Sequence, residues 1–544
     1  MKNYQSITIK DEVPTSNFTP IITTDDDAHP EDHLVPPFDS DERPSNLFVG
    51  SFNLIATIIG GAVLSLPIVF QKCGIAFTTL AMMLSAYMTY MSLVMLCFCS
   101  RRGGGSSFGE VVRSAFGERA EEGVSWLIFV FLMFVITGYM VLIRDIWTPL
   151  VREVFGMDVD SDHILLAIVG LLLPFLFQRS LYALRFNCYV GSASIFVLCI
   201  ALCRGGWQRI TSQSISDEHN DGGFDIEFFK IPSAQDIMFS FPIVTCAFLC
   251  QFNIISIQNA LRRPTRKRTQ NLVQYAVGGS FLIMYMFGLG GYLYAGSRTE
   301  GNILLNVPMA RQAGEDEGEY YLFLLGRIGC GITIMFAMPM MALPCREALL
   351  EVVDVWFHHS HHIRDETAEV PTTGEETCCW KLFHRCNKSE TDQDADITTE
   401  DEFKEILPEG LDDENQIHIS SVLIRHDPIQ SDYIFRNTFA HYGSTLLITI
   451  TCYLGAVAVS GVAVVWSFIG SSMGICIGFI LPCGCFVVIE SVVPTVARGG
   501  DRRCKWLRIA WAILVFSIVG ATVCTINSIA GLSLGHLFAA HSFV

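Results

Sequence analysis

The sequence predicts an all-α protein that crosses a membrane about eleven times. Three observations carry this. The 544 residues are 51% hydrophobic and only 17% charged; mean hydropathy is +0.41; and the apolar residues fall in runs long enough, at roughly 20 residues each, to cross about 30 Å of hydrocarbon as helices. The formal charge of −18 lies outside those runs, in the first 45 residues ("TDDDAHPEDHL", "DSDE") and near 365–415, and therefore describes solvated tails.

In chain order the runs lie near 46–71, 75–99, 124–147, 163–178, 186–203, 233–256, 272–296, 320–344, 436–458, 462–490 and 506–531. The fourth and fifth are short and joined by "QRSLYALRFN". Basic residues gather in alternate loops: Arg101, Arg102, Arg113 and Arg119, then Arg179 and Arg185, then "RRPTRKR" (262–268), then "RGGDRRCKWLR" (498–508). The excess of positive charge inside predicts a cytoplasmic N-terminus, with the C-terminus on the far side. The expected organisation is a disordered acidic tail (1–45), helices 1 to 8 (46–345), a disordered acidic cytoplasmic insertion (346–432) and helices 9 to 11 (433–544).

Most of the 19 cysteines fall in apolar runs, which argues against a disulfide framework. No basic-then-apolar signal sequence opens the chain. The insertion carries "WFHHSHH" (His358, His359, His361, His362) and "CCWKLFHRC" (Cys378, Cys379, His384, Cys386). Imidazole and thiolate are zinc's usual ligands, but the spacing matches no closed zinc module. A solvated linker and membrane-proximal palmitoylation are the other readings, and a regulatory protein is a candidate partner.

"NLIATIIGGAVLSLP" (53–67) places two glycines and a proline inside an apolar run. Backbone groups freed within a bilayer need protein, water or ligand as partners. A broken helix can therefore line a cavity, exposing N–H groups to an anionic substrate group at the positive end of a half-helix. A glycine pair for tight helix packing is the other reading.

"FNLIATIIGGAVLSLPIVFQKCGI" resembles the first helix of the amino acid/auxin permease family. "FSFPIVTCAFLCQFNIISIQNAL" resembles its sixth helix, "LGRIGCGITIMFAMPMMALPCREAL" its eighth and "WSFIGSSMGICIGFILPCGCFVVIE" its tenth, in matching order over roughly 46–531. The resemblance implies a LeuT-like fold of the APC superfamily: a 5+5 inverted repeat with helices 1 and 6 broken, and an eleventh helix. It also implies secondary active transport of an amino acid. A substrate would meet the backbone of Ile59, Gly60, Gly61, Ala62 and Val63, with Ala247, Phe248 and Gln251 on the opposite wall and Tyr139 and Ser471 from helices 3 and 10. Gly61→Val is expected to abolish transport and leave folding largely intact. In helix 6, Phe252 stands where sodium-coupled members have proline and Gln251 where they have histidine; Gln251 and Asn253 are expected either to satisfy an opened turn or to bond between helices.

The resemblance places Ala56 and Ala337 where sodium-coupled members carry an asparagine and a threonine as ligands. A methyl group cannot coordinate a hard cation. Proton coupling or exchange is therefore favoured over Na⁺, with Thr57 and Thr333 as donors for a shifted sodium site. Glu490 and His441 are the ionisable residues nearest mid-depth. Their scarcity favours a neutral substrate. No resident cofactor is expected.

Neither a channel filter nor enzyme chemistry has support: there is no HExxH, nucleophile motif or pair of buried acids. An amino acid sensor using the same site, with the acidic segments signalling, is the principal alternative. The expected partners are an amino acid and membrane lipid, with no nucleic acid. The resemblance implies the plasma membrane or a vacuolar or lysosomal membrane.

Overall fold

The computed structural model describes residue 38 and residues 43–156, 159–178, 187–213, 226–308, 317–366, 438–459, 461–492 and 500–541. Among them eight helices are long and apolar enough to cross a membrane, and nine if the bent pair Leu47–Ile58 and Gly61–Cys73 is one span. The shorter apolar Ser161–Leu176 and the 21-residue Thr438–Ala458 complete eleven passages.

We number these passages α1 to α11. Helix α1 comprises α1a (Leu47–Ile58), a 3₁₀ turn (Gly61–Ser65) and α1b (Leu66–Cys73). Then follow α2 (Ile75–Gly103), α3 (Glu118–Phe155), α4 (Ser161–Leu176) and α5 (Asn187–Gln213). Helix α6 comprises α6a (Ala234–Ala247) and α6b (Gln251–Ala260). The rest are α7 (Arg266–Ala295), α8 (Glu317–Glu366), α9 (Thr438–Ala458), α10 (Val462–Val492, with π-helical turns at Gly470–Gly474 and Cys476–Ile480) and α11 (Gly500–His541). Side-chain caps start two of them: Ser233 Oγ accepts from the Asp236 N–H at α6a, and Thr265 Oγ1 from the Arg268 N–H at α7.

The packing is symmetric under a shift of five helices. Helix α1 lies on α6, α2 on α7, α3 on α8 and α4 on α9. The cross-contacts pair in the same way: α1 with α7 mirrors α6 with α2, α2 with α10 mirrors α7 with α5, and α3 with α10 mirrors α8 with α5. Successive spans alternate in direction, so helices five apart run oppositely, and the two halves form an inverted repeat with the broken helices at equivalent places. This is the LeuT-like 5+5 arrangement. Helix α11 is peripheral: only 22% of its most apolar window is buried, against 61% for α2 and α10. Its exposed Val515, Val519 and Ile526 make a face suited to lipid.

Two expected boundaries move. Helix α8 continues past residue 345 to Glu366, because Arg346, instead of opening a solvated insertion, donates to the Leu176 and Gln178 carbonyls and to Thr445 Oγ1. The acidic tail, expected to run through residue 45, gives way to anchored chain at Arg43, which is 2% exposed. His358, His359, His361 and His362 fall on the last turns of α8. Cys378, Cys379, His384 and Cys386 lie outside the described residues, as do most of the acidic tail and insertion.

Candidate functional site

Helix α1a ends at Ile58. Ile59 (φ −78°, ψ 81°) and Gly60 (φ −110°, ψ −164°) leave the helical region, and the chain restarts as the 3₁₀ turn with a 50° bend. Pro67 falls in the first turn of α1b, where a missing N–H has no cost and the fixed φ suits a helix start. The Ile59 N–H donates to the Ile55 carbonyl, that of Gly60 to Ile58 and that of Val63 to Gly60. The N–H groups of Gly61 and Ala62 head the 3₁₀ turn, where no intrahelical acceptor precedes them. Of the five expected backbone positions, these two keep donors to offer.

Helix α6 breaks opposite, at Phe248–Cys250. Gln251, fully buried, holds this break: its Oε1 accepts from the Cys250 N–H at 2.9 Å, and its Nε2 donates to Ser92 Oγ on α2 at 3.0 Å. Expected as part of the substrate wall, Gln251 has its amide turned to the backbone and to α2 instead. Gln251→Leu leaves the buried Cys250 N–H unpaired, while Ser92 Oγ keeps its bond to the Thr89 carbonyl, and is expected to cost about 1–3 kcal/mol, read as a lowered melting temperature of the solubilised protein. The Asn253 N–H donates to the Cys250 carbonyl. Ala247 and Phe248 are buried at the end of α6a, which packs on the 3₁₀ turn.

The wall facing Gly61 comes from α3 and α10. A methyl placed on Gly61 would lie 2.8 Å from Leu142 Cδ1, 3.1 Å from Tyr139 Cε1 and 3.2 Å from Trp466 Cζ2. Tyr139 and Trp466 meet edge to face, with centroids 6.2 Å apart. Trp466, the residue sequence reasoning missed, also lies against Gly138; it stands five positions before Ser471 in the quoted tenth-helix stretch. Ser471 is not part of this wall. Its hydroxyl donates to the Phe468 carbonyl and neighbours Ser528 of α11, because the π-helical turn at 470–474 seats this stretch between α6a and α11.

The coupling candidates lie on four different helices. Thr57 Oγ1 donates to the Asn53 carbonyl and Thr333 Oγ1 to the Gly329 carbonyl, each within its own helix, and Thr333 Cγ2 packs on Gly191 of α5. Ala56 and Ala337 offer methyl groups, as the sequence says. Glu490, at the end of α10, lies near Cys99 of α2. His441 donates from Nε2 to the Phe177 carbonyl at 2.9 Å, tying α9 to the end of α4. A partly buried carboxylate also went unseen: the Asp145 side chain on α3 is 13% exposed and paired with Arg144, whose guanidinium donates to the Ala456 and Val459 carbonyls. Asp145 lies inside the third expected run, two residues from its end, where charges ordinarily reach the interface. Among the described residues no cluster of three or more His, Cys, Asp or Glu side chains is arranged to hold a metal.

At the face carrying Arg101 and residues 262–268, α1a is fastened to α6b. Arg43 Nη1 donates to the Gln258 and Asn259 carbonyls at 2.9 Å and reaches that of Leu261. The Ser45 N–H donates to the Ala260 carbonyl, and the Arg262 N–H to that of Ser45. Burial first, and then the like charge of Arg101, push the Arg43 guanidinium below its ordinary pKa. The carbonyls at the negative end of α6b offset that penalty.

Residues 43–532 match the sequence profile of the family described as transmembrane amino acid transporter protein. The chain is 22% identical to vacuolar amino acid transporter 7 of Saccharomyces cerevisiae, over 81% of its own length and 88% of the relative's. It is 24% identical to vacuolar amino acid transporter 5 of Schizosaccharomyces pombe, over 57% and 70%. With human solute carrier family 38 member 10 it shares 22% identity over 55% of this chain and 25% of the longer relative. Two solved structures, a Na⁺-coupled sialic acid symporter and MhsT in complex with L-phenylalanine, align with TM-scores of 0.42 and 0.41 at 11% and 9% identity, covering 90% and 88% of this chain and 92% and 98% of theirs. With the profile matched across all eleven passages, the chain belongs to the transmembrane amino acid transporter family.

Proposed function

We propose that the chain is a secondary transporter that moves neutral amino acids by alternating access, driven by protons or by exchange. The observation that carries this is the pair of backbone donors, Gly61 and Ala62, at the head of a half-helix that faces an aromatic wall and a second broken helix. Donors fixed at a positive helix end suit the substrate's carboxylate. The carbonyls freed at the α6 break suit its ammonium group, and Leu142, Phe248 and the aromatic rings suit an uncharged side chain. The yeast relatives named as vacuolar amino acid transporters accord with an amino acid substrate. The Arg43 fastening lies on the basic face, and the charge distribution supports reading that face as cytoplasmic.

A shifted sodium site has less support. Ala56 and Ala337 bring methyl groups where oxygen donors are needed, and Thr333 packs on Gly191 of α5. Uptake of radiolabelled amino acids into proteoliposomes, under imposed Na⁺ and H⁺ gradients and with internal substrate, tests both statements. The expected result is uptake of neutral amino acids that responds to pH or internal substrate and ignores Na⁺. Failure to take up any amino acid overturns the transport reading; uptake driven by Na⁺ alone overturns the coupling.

A further inference from the structure

We propose that Trp466 contacts the substrate, its indole N–H donating to the carboxylate of an amino acid held at the α1 break. This rests on the reading of that break as the substrate site and adds a donor from α10 to the two backbone donors.

Trp466 is 3% exposed, and its Nε1 has no hydrogen-bond partner among the described residues. A buried indole N–H ordinarily finds one. The direction in which it faces follows from the ring atoms that touch glycine positions. Cζ2 is the Trp466 atom nearest the Cβ position of Gly61, while Cη2, Cζ2 and Cζ3 lie nearest that of Gly138. Nε1 is two bonds from Cζ2, on the same long edge of the indole, so the N–H lies at the edge that meets the α1 break. The rigid ring is held by Tyr139 across its plane, at an interplanar angle of 71°, and by the small surfaces of Gly61 and Gly138. A side chain larger than hydrogen at either glycine would drive the ring away.

Three N–H groups, from Gly61, Ala62 and Trp466, thus gather at one break. An acceptor-only, anionic group such as a carboxylate satisfies all three. A neutral amide, whose nitrogen only donates, satisfies fewer.

The test uses the full-length protein in proteoliposomes. Trp466→Phe keeps an aromatic ring against both glycines and removes the N–H. For a transported neutral amino acid, its uptake is measured together with competition by the amino acid and by its carboxamide. The expected result is a KM raised about tenfold, the loss of one hydrogen bond to a charged group, with the preference for acid over amide falling by a similar factor. Trp466→His, which restores a ring N–H, is expected to recover part of that preference. The ratio is read within whatever fraction folds, so a change in packing alone moves acid and amide together and leaves it unchanged. An unchanged ratio with normal wild-type uptake overturns the role of Trp466 alone. Wild-type protein that takes up no amino acid overturns the site reading, and this proposal with it.

Discussion

Gly60→Ala is expected to lower amino acid uptake by about a hundredfold or more, in protein that folds as the parent does. The residue adopts φ −110° and ψ −164°, extended backbone open to alanine, and the nearest atom to the added methyl is Tyr139 Oη at 4.0 Å. The methyl therefore fits the protein and occupies the space beside the Gly61 and Ala62 donors that the substrate's carboxylate requires. Losing two hydrogen bonds to a charged group corresponds to about 3–6 kcal/mol, hence the size of the effect. Gly61→Val serves as the contrast. Sequence reasoning expects it to spare folding, but its first added carbon would already lie 2.8 Å from Leu142 Cδ1, with Tyr139 and Trp466 close behind. Overpacking of this kind costs about 1–3 kcal/mol, so that variant loses stability along with transport. Melting temperature and uptake measured together separate the two. Wild-type uptake by Gly60→Ala would remove the backbone site.

The interruption of α1 was legible because glycine and proline act locally: "IGGAVLSLP" carries both the break and its restart at Pro67. The break in α6 was less legible, since no proline or glycine marks Cys250–Asn253. What holds it open is a contact 159 residues away in sequence, from Gln251 to Ser92, and one chain offers no sign of such a pairing. Trp466 was hidden for a related reason. Its role depends on two glycines on α1 and α3 lying against one ring, and a lone tryptophan in an apolar run reads as core. Ser471 was placed by its helix and its polarity, yet helix number does not fix which face a residue turns, and the π-helical turns of α10 shift that face further. The span limits came from hydropathy, which reports where lipid ends rather than where hydrogen bonding ends. Arg346 and Arg43 both lie beyond the apolar runs, and each is drawn into the fold by carbonyls at another helix's end.

Arg43→Gln is expected to shift the protein toward the state in which α1a leaves α6b, by roughly tenfold to a hundredfold in population. The guanidinium serves three carbonyls at the end of α6b, and a hydrogen bond to a charged group is worth about 1.5–3 kcal/mol. The side chain is almost fully buried, so water is a poor substitute, and a glutamine amide supplies fewer donors and no charge to complement the helix end. Arg43→Lys keeps the charge without the fork and falls between the two. The Ser45 pairing with Ala260 and Arg262 is backbone only and survives either change, which limits the shift and keeps the segment docked part of the time. Hydrogen–deuterium exchange reads the outcome directly: amides of residues 47–58 and 251–260 exchange faster, while those of α3 and α8, which pack on each other away from the latch, keep their protection. Uptake slows as well, because a protein that rests open on one face presents its site less often on the other. Parent-like exchange at both segments would mean that Arg43 decorates a junction held by other contacts. Faster exchange throughout the bundle would mean that it supports the fold rather than the choice between states.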